Sequence, residues 1–284
     1  MKRRQIVRGF AFVRASAYRG AVLDKVPGQV LATVDPARWE RLRALAAEQR
    51  PLLSAPQPGD VRLCAVCHGP SGRGSARCYQ CDLHCQSAPG SLADVVAPVA
   101  FAIKGGSHAR NLWQYKSLRP AAEVSTAARL TLLALLLVFL REHGLCLWQA
   151  AGIAGPTHLA VVPTARGRPG PHPLRALVEE HLAGPWAGLS ARRGGEQVRD
   201  LDPARFRATA LSKARVLLLD DTWTTGSSAQ SAAMALRRAG ATSVVTVVLG
   251  RHIGQAADLA GLGPARMPFR QDRCAVHQDH LVSG

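Results

Sequence analysis

Acidic residues are scarce in this chain. Nineteen Asp and Glu stand against thirty-six Lys and Arg over 284 residues, a formal net charge of +17. The deficit disfavours basic partners and favours polyanions, whether nucleotides, pyrophosphate or nucleic acid. Lysine is also rare beside arginine, while Ala, Arg, Gly and Pro are plentiful. Such a bias by itself speaks to solubility and non-specific binding rather than to a site. Long apolar runs are missing too. Residues 1–20 carry Lys2, Arg3, Arg4, Arg8, Arg14 and Arg19 and no acid, yet no long apolar core and cleavage site follows, so a secretory signal is not expected. The most apolar stretch, Leu130 to Leu140, lies between Arg129 and Arg141 and falls short of the roughly 20 residues a helix needs to cross a bilayer. It reads as a buried helix. The expectation is a soluble protein of a reducing, cytoplasmic compartment without a membrane partner, in which clustered cysteines hold metal rather than pair as disulfides. There is no internal repeat.

The most informative segment is Arg215 to Gly226, RVLLLDDTWTTG. Val216 to Leu219 are four consecutive apolar residues, suited to a strand buried on both faces, and Ala229 to Ala239 are helix formers that stop at Gly240. The turn between them lies at a strand's carboxyl end, where ligands collect in open α/β sheets. A turn that opens a helix also offers unpaired N–H groups and a positive dipole end to a phosphate. Gly226 lets the backbone approach closely, and Thr224, Thr225, Ser227 and Ser228 add hydroxyl donors. Asp220 and Asp221 would repel a phosphate placed beside them, but they accept hydrogen bonds from sugar hydroxyls or hold a hydrated cation. A ribose 5-phosphate meets both demands. The competing reading is a strand end whose acids merely cap a helix.

Five of the seven cysteines fall between Cys64 and Cys85. Cys64, Cys67, Cys78 and Cys81 form two C-x-x-C knuckles separated by a glycine-rich, polar stretch that owns no core. Tetrahedral zinc needs such an arrangement, and its binding energy folds a loop too small to fold alone. Four thiolates leave no open position, so the zinc is expected to be structural. His68, His84 and Cys85 are spare ligands, and a redox dithiol is the alternative. Cys146 and Cys274 read as core or surface thiols.

The strand Leu159 to Val162 ends in Pro163-Thr-Ala-Arg166-Gly167-Arg168, where two guanidiniums and a glycine suit an anionic group. Lys104 and Lys116 can add positive charge. Between Leu189 and Ala214 lies an arginine-rich polar stretch, long enough for a mobile cover over a reactive site, although a solvated hairpin explains it nearly as well. His172 and His181 receive no role. Asp35-Pro36 followed by Ala37 to Gln49 gives an N-cap, a first-turn proline and an amphipathic helix. A helix over Ser125 to His143, strand 159–162, helix Pro173 to Leu182, strand 216–219, helix 227–239 and strand Ser243 to Leu249 then alternate. That alternation implies an α/β fold with a parallel sheet and right-handed crossovers. The chain divides into an N-terminal extension of unread role (1–58), a cysteine module (59–92), the α/β domain (93–254) and a loosely attached tail (255–284).

Apolar residues, two acids and a Thr-Thr-Gly loop resemble the phosphoribosyl pyrophosphate (PRPP) signature of type I phosphoribosyltransferases. A zinc-ribbon module ahead of such a domain resembles the ComF-type branch, over about residues 60 to 255. The resemblance implies that Asp220 and Asp221 bind the ribose 2- and 3-hydroxyls, and that Thr222 and Thr224 to Ser228 (Thr224, Thr225, Gly226, Ser227, Ser228) cradle the 5-phosphate. It places Lys116, in the segment Asn111 to Lys116, beside the reacting centre, Thr164, Arg166 and Arg168 on pyrophosphate, and Arg192, Arg193 and Gln197 in a covering loop. Trp223 replaces a small aliphatic residue. The family's arginine, glycine, phenylalanine, asparagine, glutamine run is absent, and Arg166-Gly-Arg-Pro-Gly-Pro-His172-Pro stands nearby instead. The implied cofactors are structural Zn2+ and Mg2+ arriving with PRPP. Three functions follow from these readings. The first is transfer of a phosphoribosyl group to or from a nitrogenous base, the second a catalytically silent PRPP or nucleotide sensor, and the third a competence-like DNA-uptake or repair protein using the basic surface. A homodimer is compatible with each.

Overall fold

Successive residues of the central strands point into two different interiors. In β5 (Ala214–Trp223) Leu217 and Leu219 join one apolar cluster while Val216 and Leu218 join another. In β6 (Ala241–Ile253) Val245, Val247 and Leu249 divide from Val244 and Val248 in the same way. Side chains alternate across a strand with period two, so a sheet covered on both faces needs apolar residues at every position. The strands β1 (Val95–Ile103), β6, β5 and β2 (His158–Val161) pair in that order, all parallel. The expected α/β architecture is therefore present. The computed structural model of the chain describes residues 30–72, 74–117, 121–164, 172–192, 200–254, 267, 269–270 and 272–277.

One face of the sheet carries α4 (Ala122–Ala150), with α1 (Pro36–Gln49) packed on it and α3 (Ser107–Gln114) against both α4 and β1. The other carries α6 (Ser227–Arg238), whose Ala229, Ala232, Ala233 and Leu236 are buried. The short α2 (Tyr79–Ser87) begins inside the second cysteine knuckle, with Cys78 at its N-cap position and Cys81 in its first turn, and α5 (Pro173–Val178) follows β2. β3 (Leu189–Ala191) and β4 (Phe206–Ala208) form a separate antiparallel pair, so the arginine-rich stretch is at least partly a hairpin. Arg193 and Gln197 lie outside the described residues.

Several boundaries differ from those read in the sequence. The helix α4 runs 29 residues because Leu147 and Trp148 extend its buried stripe past Gly144, and tertiary burial outweighs that residue's poor helix propensity. By length and composition it could cross a bilayer, but 72% of its apolar window is buried inside the protein. It is wrapped by α1, β1 and β6, and an all-round apolar helix is what such a position requires. The strand β1 is an element the sequence reading does not include; it holds Pro98, which an edge strand tolerates. α5 stops at Val178 instead of Leu182. β5 continues through the two acids to Trp223, since β6 offers partners as far as Arg251.

Neither end behaves as an appendage where it is described. Asp35 accepts hydrogen bonds from the Arg38 and Ala37 amides at 2.8 and 3.3 Å, as its cap position predicts. Trp39, Leu42 and Ala46 are buried in the main core, and the Arg141 guanidinium of α4 lies 4.4 Å from the Trp39 ring centroid. Within 255–284, Met267, Cys274 and Ala275 are buried, so those residues pack tightly instead of forming a loose tail.

Candidate functional site

Two knuckles bring the cysteines together. The Cys64 amide donates to Gly69 O at 2.8 Å and the His68 amide to Cys64 O at 2.9 Å, closing a tight turn in which His68 takes φ 54°. The Sγ atoms of Cys64, Cys67, Cys78 and Cys81 lie within 4.8 Å of one another, and Cys67 Sγ stands 3.8 Å from Cys78 Sγ. A tetrahedral site with zinc–sulfur bonds of about 2.3 Å has an S···S edge of about 3.8 Å. The group can therefore hold a metal such as zinc. Among the described residues, His68, His84 and Cys85 do not join it. Shared hydrogen bonds pull the Cys64 thiol far below its ordinary value, through Cys67 first and then Cys78 and Cys81, while the same contacts, that with Cys64 foremost, push Cys81 far up. Four thiolates cannot coexist at this spacing without a cation to bind them. A zinc tetrathiolate would still carry net negative charge, and Arg251 Nε donates to Cys67 Sγ at 3.4 Å.

Arg251 also reaches the other centre. Only 9% exposed, it donates from Nη1 to the Trp223 carbonyl at 3.3 Å, at the end of β5. Three residues on, Gly226 takes φ 85° and opens α6. A Cβ there would lie 2.1 Å from the buried Trp223 indole, so the glycine is required both by its left-handed backbone and by the ring packed under it. The unusual tryptophan thus forms the floor of the turn. Thr225 Oγ1 and Ser227 Oγ are 2.6 Å apart and hydrogen-bond each other, while Thr224 and Ser228 face the adjoining cleft. Of the expected hydroxyl donors, two brace the loop and two line the cavity. The first-turn amides of α6 have no intrahelical acceptors, and the helix dipole favours an anion at this end.

The two acids are electrostatically distinct. Asp221 Oδ2 accepts from Tyr115 Oη at 2.6 Å and from Lys116 Nζ at 2.9 Å, both just beyond α3. Burial opposes its ionisation, yet the Lys116 charge and these hydrogen bonds hold it below the ordinary carboxylate range. Asp220 Oδ1 accepts the Asp221 amide at 2.9 Å, and burial, then the Asp221 charge, push it up to about 8 against the pull of the Asp221 and Thr222 amides and the Lys116 charge. Near neutrality the pair therefore carries one charge and one proton. A carboxyl that still holds its proton can donate to a ligand oxygen beside one that can only accept.

A cleft of about 480 Å³ gathers these groups. Asp220, Asp221, Thr222, Thr224, Ser228 and Lys116 line it, together with Thr164, three residues beyond β2. Arg166 and Arg168 lie outside the described residues. Lys104 is not part of the lining; its amide bonds to Ile253 O at 2.9 Å. Residues not assigned from sequence also line the cleft: Trp113, Arg205 and His172, whose Nδ1 accepts the Leu174 amide at 3.2 Å and caps α5. Tyr115, within the segment Asn111 to Lys116 but given no role from sequence, is a donor to Asp221. His181 lies elsewhere, with its Nε2 3.3 Å from an Arg38 Nη2. Comparisons with protein-family models, with curated proteins and with solved structures find no match to this chain.

Proposed function

We propose that the cleft binds PRPP and that the chain is a phosphoribosyltransferase of ComF-like organisation, moving a phosphoribosyl group to or from a nitrogenous base. One observation carries this reading: two adjacent carboxylates at the end of a buried parallel strand share a cleft with Thr224 and Ser228 of a helix-opening turn. The acids suit sugar hydroxyls, and the turn suits a phosphate. Neither half alone would select a phosphorylated ribose. On this reading the sheet is that of a type I phosphoribosyltransferase, and the cysteine group is a structural zinc module.

Catalysis would rest on orientation and on charge stabilisation as pyrophosphate departs, without a covalent nucleophile. Asp220 and Asp221 would hold the ribose, Tyr115 and Lys116 would fix Asp221, and Thr164 would contact the pyrophosphate end. Mg2+ carried in by PRPP would neutralise pyrophosphate, and its positive charge beside Asp220 would favour loss of that residue's proton. The test is pyrophosphate release by the purified protein with PRPP and Mg2+ across a panel of purine, pyrimidine and pyridine bases. Base-dependent release supports transfer. PRPP binding without release for any base would leave a sensor, and no binding of PRPP would remove the proposal.

A further inference from the structure

The two cysteines outside the knuckles are not isolated. His143 and Cys146 lie one turn apart on α4, and with Cys274 they place one imidazole nitrogen and two sulfurs within 4.8 Å of one another. His277, outside that group of three, brings its Nδ1 to 3.7 Å from Cys146 Sγ. The sequence brings these groups as two short mirrored pairs, His143-x-x-Cys146 and Cys274-x-x-His277. The second pair sits in a turn closed by the His277 amide donating to Cys274 O at 3.0 Å. His143 is 4% exposed and Cys274 3%, and the Phe139 ring, its centroid 5.1 Å from that of His143, fixes the first imidazole in place.

We propose that His143, Cys146, Cys274 and His277 form a second tetrahedral zinc site, which clips the chain around 272–277 onto α4. The donor set is the two-thiolate, two-imidazole combination common in closed structural sites, and the Sγ···N edge of such a tetrahedron is about 3.5 Å. Two thiolates neutralise Zn2+, so this site can sit beside the main apolar core without a compensating arginine, in contrast to the four-cysteine centre with its Arg251. One imidazole and two thiols converging against apolar surroundings, with the second imidazole beside Cys146, would otherwise bury polar groups at a cost. The metal ties together residues more than a hundred positions apart, and a cross-link over so long a loop removes much of the unfolded chain's freedom.

The experiment counts metal in the full chain, purified under reducing conditions without chelator, by inductively coupled plasma mass spectrometry. Two zinc ions per wild-type chain are expected. Cys274→Ser should leave one. Because that position is buried, His277→Ala, at a partly exposed residue, is the second variant. Its weaker zinc should move to a chromophoric chelator at least about tenfold more readily while the other zinc is unchanged. Cobalt(II) reports the ligand set: Cys274→Ser should remove part of the thiolate-to-cobalt charge-transfer band and retain the four-thiolate remainder. One zinc per wild-type chain, or a count and chelator affinity that both variants leave unaltered, overturns the proposal. So does a Cys146–Cys274 disulfide found by mass in protein purified with reductant.

Discussion

Replacing Asp220 by Asn should stabilise the protein, and more so as pH rises. The side chain sits at the end of β5 beside an already ionised Asp221, and burial with that neighbouring charge lifts it from the ordinary value of 3.8 to about 8. Such an acid is protonated in the folded chain and ionised in the unfolded chain between those two values, so the folded state binds the extra proton. Stability contributed by this group therefore falls as pH rises from about 4 to about 8 and stays level above. Each tenfold change in proton affinity is about 1.4 kcal/mol, which sets an upper bound of roughly 6 kcal/mol for the whole span. Coupling to Asp221 and Lys116 and the high effective dielectric near a cleft reduce it, so the expected gain of Asp220→Asn over wild type is about 2 kcal/mol larger at pH 8 than at pH 5. Urea denaturation of both proteins at the two pH values, with zinc held constant, measures it. The titration of the cysteines is common to both proteins and cancels in the difference. A stability gap that is the same at pH 5 and pH 8, or that favours wild type more at pH 8, would refute the reasoning.

Gly226→Ala should cost about 2 kcal/mol or more in thermal or urea unfolding, because the left-handed backbone is strained for alanine and its Cβ meets Trp223; an unaltered midpoint would show that the turn is not built as described. Arg251→Met should weaken zinc at the four-cysteine centre by about 10- to 100-fold in chelator competition, since Cys67 loses its charged donor. Equal affinity would mean that the arginine serves only packing. Cys64→Ser with Cys67→Ser should release the zinc of that centre and open residues 59–92 to limited proteolysis, while β5 and β6 stay protected from hydrogen exchange. Full zinc retention by this variant would point to other ligands.

The turn after β5 could be read because all its parts lie within a few residues: an apolar run, two acids, hydroxyls, a glycine and helix formers. The cysteine knuckles were legible for the same reason. What escaped was set by residues distant in sequence. Tyr115 and Lys116 clamp Asp221 from 106 and 105 positions away, and nothing in the acid pair itself foretells which lysine pairs with it. Trp223 looked like a tolerated oddity, but it is the ring against which Gly226 closes. The strand β1 carries no alternation because both its faces are covered, and a proline within it is compatible with a strand only at a sheet's edge, a place the fold alone assigns. Cys146 and Cys274 read as separate thiols since only the fold brings 274–277 against α4. The mirrored spacing of their histidines was the available signal.

The most direct measurement is a calorimetric titration of the full chain with PRPP in the presence of Mg2+, repeated on Asp220→Asn with Asp221→Asn at matched zinc content. The account predicts saturable binding by wild type at one site and none by the double variant, with its zinc count unchanged. Equal affinity of the two proteins, or no heat from a zinc-replete, folded wild type, would contradict it.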